Sequence, residues 1–140
     1  LRYDPDMGLS VALSCSAAGI AWLSTMSDDE AMTLVAKKGL GKPEDFGPKA
    51  PTSIKGVMTL VKASRQQGFS MIVDVFGPGM SSMAAPVLDF QGRAIGVVTI
   101  AGPSVRLNAA RMEALGPALL EAAQEVSRAS TASSLFKKCA

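Results

Sequence analysis

The sequence contains no histidine, and this absence weighs against several classes of enzyme. Its 140 residues include 14 lysines and arginines and 12 acidic residues, but no imidazole. Ser-His-Asp and Cys-His catalysis both need histidine as the general base, so both are excluded. Ser-Lys chemistry needs no histidine and stays open. We therefore expect a protein that is not an enzyme and has no catalytic residues.

Cysteines and long apolar runs are also scarce. The two cysteines, Cys15 and Cys139, lie near opposite ends of the chain and suggest no disulfide framework. Two thiols without histidine do not form a familiar zinc site, so we expect no metal and no cofactor. No apolar run reaches the roughly 18 residues of a membrane span, and no signal peptide opens the chain. These absences predict a cytoplasmic protein that makes no contact with membranes.

The charges show no basic stripe of the kind that binds nucleic acid. The net charge is only +2, and the dense basic spots are limited to residues 37–38 and 137–138. Apolar residues make up 48% of the chain, which is slightly high for a soluble domain. We expect part of this apolar surface to lie in an interface between subunits.

The most informative segment runs from residue 79 to residue 107 and reads as two strands joined by a tight turn. Residues 83–88 and 93–100 are apolar, and Gln91-Gly92 between them is a turn signal. In an antiparallel pair the outer ends of the two strands lie side by side. Small or hydroxyl-bearing residues cluster at those ends: Ser81, Ser82, Ala84, Ala85, Thr99 and Ala101. A pair of strands with this composition predicts one wall of a small cavity.

Helix signals occupy most of the remaining chain. Ser27 followed by Glu30 is a capping box, and Asn108 is a good N-cap for a long amphipathic helix. Pro117 is expected to kink or interrupt that last helix. The predicted elements are helices at 17–26, 28–38 and 54–67, a strand at 69–76, the hairpin, a helix from 109 to about 129, and a frayed tail at 130–140.

With the hairpin in place, the chain resembles the C-terminal effector-binding domain of the IclR family of bacterial transcription regulators. The hairpin residues that carry the resemblance are Ser82, 84–87, Asp89, Gly92, 99–103 and 106–107. Upstream, the stretches 14–21, 27–30 and 65–70 resemble the family's helix start, acidic helix opening and helix end. The chain departs from the family's pattern at Ser14, Ile20, Val75, Thr99 and Ala101.

The resemblance implies an α/β (α+β) GAF-like domain over residues 1–129, with a central antiparallel sheet flanked by helices. It also implies a small organic effector, often a carboxylate, and a homo-oligomer, either a dimer or a tetramer. The chain begins at Leu1 without a methionine. We therefore expect a fragment of a longer protein, and the resemblance implies that it lacks the N-terminal winged helix-turn-helix and the first strands of the domain. DNA contacts would then be made only by the part that is absent.

The expected effector site combines the helix start near residue 17 with the outer end of the hairpin. The backbone amides of residues 17–19 and nearby hydroxyls are suitable donors for a carboxylate. The predicted effector-binding residues are Ser14, Ser16, Ala17, Ala18, Gly19, Asp74, Ser82, Met83, Thr99 and Ala101. Two alternatives stay open: the serines only cap the helix, or the domain is an oligomerisation module with a vestigial pocket.

Overall fold

The computed structural model describes residues 12–133 and has the predicted order of elements. Three helices precede a strand, a hairpin and a long last helix, with a short 3₁₀ turn at Pro43–Asp45. The helices are α1 (Ala17–Leu23), α2 (Asp28–Lys38), α3 (Ile54–Gln67) and α4 (Ala109–Ala132), and the strands are β1 (Ser70–Val73), β2 (Met80–Leu88) and β3 (Ala94–Pro103). Within residues 12–133, no helix has the length and apolar character that a bilayer crossing requires.

The three strands form one antiparallel sheet in the order β1-β2-β3. The β2–β3 hairpin turns through Gln91-Gly92 as predicted, and Gly92 has a positive φ of 80°. The Asp89 carboxylate accepts hydrogen bonds from the backbone N–H groups of Gln91 and Arg93, both at 2.9 Å, and so fixes the turn. At the other end of the hairpin, Ser82 lies directly opposite Ala101.

Helix α4 covers one face of the sheet with a closely packed apolar core. Met83 of β2 and Met112 and Leu119 of α4 are almost completely buried in this core. The contact is close at one position, because a Cβ on Gly116 would lie only 2.5 Å from the ring of Phe69. A larger residue at position 116 would therefore require that ring to shift where α4 crosses the start of β1.

Helix α1 lies on the opposite face of the sheet and is itself covered by α2 and α3. Its apolar side chains join those of α2 and α3 in a separate core. A hydrogen bond of 2.7 Å from the Ser70 hydroxyl to the Ala17 carbonyl attaches β1 to the start of α1. The Arg65 guanidinium of α3 donates to the carbonyls of Ser24 and Met26 and to the Asp28 carboxylate. This face is thus fixed by polar contacts as well as by packing.

Two elements end earlier than the sequence predicted. Helix α1 stops at Leu23 instead of residue 26, because the hydroxyls of Ser24 and Thr25 bond back to carbonyls of the last turn. Ser27 must then be extended to cap α2, and its capping box is present as expected. Strand β1 ends at Val73 instead of residue 76, because Asp74 adopts a left-handed conformation with φ 57°.

Other elements are longer than predicted. The hairpin strands pair from Met80 opposite Pro103, so β2 begins three residues earlier and β3 ends three residues later than expected. Helix α4 is continuous through Pro117, so the expected interruption was wrong. Buried residues on both sides of the proline hold the helix on the sheet and offset the missing hydrogen bond. Residues 130–132, expected in a frayed tail, belong to α4, and the rest of that tail lies outside the described residues.

Candidate functional site

A cavity of about 150 Å³ lies between the start of α1 and the outer end of the β2–β3 hairpin. It is lined by Ser16, Ala17, Ala18, Phe76, Met80, Ser81, Ser82, Thr99 and Ala101. Thr99 and Ala101 are exposed and belong to β3, at the edge of the sheet, so solvent reaches the cavity from this side. The outer end of the hairpin, which the sequence predicted to be one wall of a cavity, forms such a wall.

The alternation of a β-strand explains which hairpin residues face this cavity. Successive side chains of a strand point to opposite faces of the sheet. Ser82 lies opposite Ala101, and Ala84 lies opposite Thr99, so these four residues share the face on which α1 packs. Ala84 is fully buried in that packing, whereas the small side chains of Ser82, Thr99 and Ala101 leave the space that forms the cavity.

Six of the ten predicted site residues line the cavity: Ser16, Ala17, Ala18, Ser82, Thr99 and Ala101. Ser16 is also the N-cap of α1, as the alternative interpretation proposed. Its hydroxyl accepts from the Gly19 N–H at 3.0 Å and donates to the Ala12 carbonyl at 2.7 Å. The Gly19 amide is therefore already used by the cap, and only the first two amides of the helix remain as candidate donors.

Ser14 and Gly19 are close in sequence to the cavity but are absent from its lining. The Ser14 hydroxyl is buried and donates to the Leu40 carbonyl at 3.3 Å, so it holds the loop after α2. A Cβ on Gly19 would lie 2.0 Å from the Leu13 carbonyl oxygen. The missing side chain of Gly19 thus accommodates the protein's own backbone, not a ligand.

Met83 and Asp74 also lie away from the cavity lining. Met83 follows Ser82 on β2 and therefore points to the other face, where it is fully buried beneath α4. Asp74 follows β1, and its carboxylate accepts a hydrogen bond of 2.7 Å from the Gly79 N–H. Both residues have structural roles here, which the spacing of the sequence did not reveal.

Three lining residues, Phe76, Met80 and Ser81, were not among the predicted site residues. Ser81 pairs with Gly102 and Val73. Because it precedes Ser82 on the strand, its side chain points to the opposite face, and it borders the cavity through its backbone. Phe76 lies in the loop between β1 and β2 and is 42% exposed, which is high for a phenylalanine. An aromatic residue beside the Gly77-Pro78-Gly79 turn was the signal available in the sequence.

The lining of the cavity combines hydroxyl-bearing and apolar residues. The hydroxyl-bearing residues are Ser16, Ser81, Ser82 and Thr99, and the other lining residues are alanines, Phe76 and Met80. Within residues 12–133, no group of three or more cysteines, aspartates or glutamates is arranged to hold a metal ion. Burial raises the pKa of the Cys15 thiol above its usual value, which makes this thiol a poor nucleophile at neutral pH.

Concave sites that are mostly apolar and carry a few polar groups commonly bind small molecules, and this cavity has that composition. The chain belongs to the family described as the C-terminal domain of IclR bacterial transcriptional regulators, whose family model matches residues 1–128. The resemblance drawn from the hairpin and the helix starts is thereby confirmed. The predicted GAF-like α+β fold, with its antiparallel sheet and flanking helices, is confirmed as well.

Several regulators are similar to this chain. The transcriptional repressor AllR of Escherichia coli K12 is 24% identical over 129 residues, which are 92% of this chain and 46% of AllR. The transcriptional regulator BhcR of Paracoccus denitrificans is 28% identical over 120 residues, or 86% of this chain and 42% of BhcR. The chain thus spans a little under half the length of these curated relatives.

Among solved structures, the inducer-binding domain of the transcription factor PobR from Acinetobacter has a similar fold. That structure is a double mutant in complex with 3-hydroxybenzoic acid. The TM-score is 0.77 at 21% sequence identity, and the match covers 91% of this chain and 73% of that one. At this identity the similarity concerns the fold.

Proposed function

We propose that this chain is the effector-binding domain of an IclR-type transcription regulator and that the cavity beside α1 binds a small organic effector. One observation carries the proposal. Six predicted site residues come from two stretches more than sixty positions apart, and they meet around a single cavity. A volume of about 150 Å³ matches a molecule near the size of benzene, which occupies an engineered apolar cavity of that size.

A carboxylate is the proposed polar group of the effector. The hydroxyls of Ser82 and Thr99 are donors on the sheet side of the cavity. On the helix side, the N–H groups of Ala17 and Ala18 belong to the first turn of α1, where backbone donors have no carbonyl partner within the helix. The organic acid bound by the similar PobR domain supports this class of ligand.

In the whole regulator, effector binding would change the arrangement of subunits. We propose a cytoplasmic homo-oligomer, a dimer or tetramer, whose DNA contacts lie in a part outside this chain. A ligand shifts such an equilibrium only by the difference between its affinities for the two arrangements. The cavity bridges α1 and β3, so a ligand that draws them together favours one arrangement over the other.

The proposal is tested by thermal melting of the chain with small carboxylates, 3-hydroxybenzoate among them, in the wild type and in Ser82→Trp. An effector at one hundred times its Kd stabilises the folded state by about 2.7 kcal/mol and raises the melting temperature. Ser82→Trp should fill the cavity and abolish that rise. Val105→Trp is the matched control, because Val105 is 88% exposed and is not a lining residue. An undiminished rise in Ser82→Trp would show that the effector binds elsewhere.

The second candidate function is an oligomerisation module with a vestigial pocket. Apolar side chains exposed outside the cavity favour it, among them Val105 at 88% exposure, Phe90 at 85% and Val126 at 45%. This candidate predicts no melting shift with any small carboxylate, while size-exclusion chromatography shows a dimer or tetramer. Phe90→Ser should then dissociate the oligomer.

A further inference from the structure

The loop of residues 74–79 between β1 and β2 forms the Phe76 wall of the cavity, and its conformation is unusual. Asp74 has φ 57°, the one positive φ of a residue other than glycine within residues 12–133. Gly79, at the other end of the loop, has φ 69°. Left-handed conformations are uncommon for residues with a side chain, although aspartate tolerates them better than most. Such a conformation persists where surrounding contacts determine it.

Asp74 makes those contacts with both ends of the loop. Its carboxylate Oδ1 accepts from the Gly79 N–H at 2.7 Å, and its own N–H donates to the Met80 carbonyl at 2.9 Å. Asp74 thus joins the start of the loop to its end, where the Met80 N–H also donates to the Gly77 carbonyl at 3.2 Å. Phe76 lies within the closed loop and Met80 directly after it, and both line the cavity.

The same loop is attached to two neighbouring segments through its backbone. The N–H groups of Gly47 and Lys49 donate to the carbonyls of Val75 and Asp74, each at 2.9 Å. A Cβ on Gly47 would lie 2.1 Å from the Asp74 carbonyl oxygen, so this approach requires glycine. On the other side, the Ser104 N–H donates to the Gly79 carbonyl at 2.8 Å.

We propose that Asp74 is a positioning residue of the effector site, which holds the Phe76 wall over the cavity without touching the effector. This inference rests on the proposed function for its biological meaning, but the geometry it describes can be tested without any effector. It assigns Asp74 a role different from the direct contact that the sequence suggested. It also makes Phe76 a determinant of ligand selection, because the aromatic ring supplies a flat apolar surface.

Three substitutions separate the parts of this role. Asp74→Asn keeps an oxygen that accepts from the Gly79 N–H and tolerates the left-handed conformation, so it should behave as the wild type does. Asp74→Gly keeps the conformation but loses the acceptor, and Asp74→Ala loses both. The matched control is Asp89→Ala, since Asp89 fixes the hairpin turn by similar hydrogen bonds at the far end of β2.

The first measurement is methyl NMR of the alanine and methionine residues that line the cavity. Phe76→Leu defines the part of their chemical shifts that the aromatic ring causes. Asp74→Ala should remove more than half of these ring-dependent shifts, and Asp74→Gly should remove a smaller fraction. Asp74→Asn and Asp89→Ala should leave them almost unchanged. Ring-dependent shifts that survive in Asp74→Ala would overturn the proposal, whether or not an effector binds.

The second measurement is a titration of the same methyl signals with benzene, which tests the apolar wall directly. Asp74→Ala and Phe76→Leu should each weaken benzene binding by about two- to tenfold. Because Asp74 acts through Phe76, the double variant should bind no more weakly than Phe76→Leu alone. Additive losses, or no benzene binding to the wild type, would contradict the role of the wall. A failure of the proposed function would instead show as effector binding that survives Ser82→Trp.

Discussion

The two faces of the sheet are built from alternate residues of the same strands and differ in how they are held together. On the face covered by α4, Met83 is fully buried against apolar side chains such as Met112. On the face covered by α1, the neighbouring Ser82 borders a cavity. This second face is attached by packing of Ile72 and Ala84 against α1 and also by hydrogen bonds, from Ser70 to the start of α1 and from Arg65 to the link after it.

One face is closely packed, while the other leaves part of its area unfilled as the cavity. Apolar burial is the dominant favourable contribution to folding, and both faces supply it, with Ile72 and Val75 buried on the α1 side. Small residues such as Ala101 at the cavity give up that contribution and create space instead. Substitutions in the α4 core and at the cavity should therefore affect stability and binding in opposite proportions.

The largest expected effect comes from a pair of adjacent substitutions on β2. Met83→Ala removes a fully buried side chain and should lower the free energy of unfolding by about 2–5 kcal/mol. Ser82→Ala, one position away, should change it by less than about 0.5 kcal/mol while weakening binding of a carboxylate that shifts the wild-type melting temperature. Urea denaturation and the melting assay measure the two quantities. Equal losses of stability would refute the division between the faces.

A smaller effect is expected where Arg65 holds the α1 side together. Arg65→Lys keeps the charge but cannot reproduce the planar fork that reaches the carbonyls of Ser24 and Met26. We expect a loss of about 1–2 kcal/mol in the free energy of unfolding. Hydrogen exchange should accelerate at amides of α1 and α2 more than at those of α4.

Arg93→Lys is the control for this substitution. Arg93 pairs with Asp89 on the exposed hairpin turn, and exposed ion pairs contribute little to the free energy of unfolding. If Arg65→Lys were no more harmful than Arg93→Lys, the α1 face would depend on packing in the same way as the α4 face.

The smallest effect concerns pH and again involves only the α1 side. A hydrogen bond from Arg65 lowers the pKa of the Asp28 carboxyl below its usual value. A lowered pKa in the folded state adds stability that is present above the unfolded pKa of about 3.9 and is lost as the pH falls through the folded value. The difference in urea midpoint between the wild type and Asp28→Asn should therefore shrink below about pH 4. A difference independent of pH would mean that the carboxylate charge does not contribute.

Local patterns allowed much of the fold to be predicted. The capping box at Ser27, the N-cap at Asn108 and the turn at Gln91-Gly92 depend on residues a few positions apart, and each has the expected structure. The cavity wall was predictable for a similar reason, because alternation along a strand places Ser82 and its neighbours on one face.

The predictions failed where contacts between segments distant in the sequence determine the local structure. Gly19 was expected at the effector, but the Leu13 backbone occupies the space beside it. Pro117 was expected to kink or interrupt α4, and the interruption is absent because packing on the sheet keeps the helix continuous. Phe76 escaped notice because its loop is attached by hydrogen bonds to segments around Gly47 and Ser104, which lie far from it in the sequence.

The sequence by itself determined the order of the elements, the two-faced hairpin and the family to which the chain belongs. These features follow from the spacing of apolar, capping and turn residues, which acts over short distances along the chain. Two further features depend on the tertiary structure. The start of α1 and the Phe76 loop complete the cavity on the face of the sheet that carries Ser82 and Thr99. Asp74 supports this loop. The physical reason is that these contacts join segments as much as 85 residues apart, such as Ser16 and Ala101, where no local pattern specifies the approach.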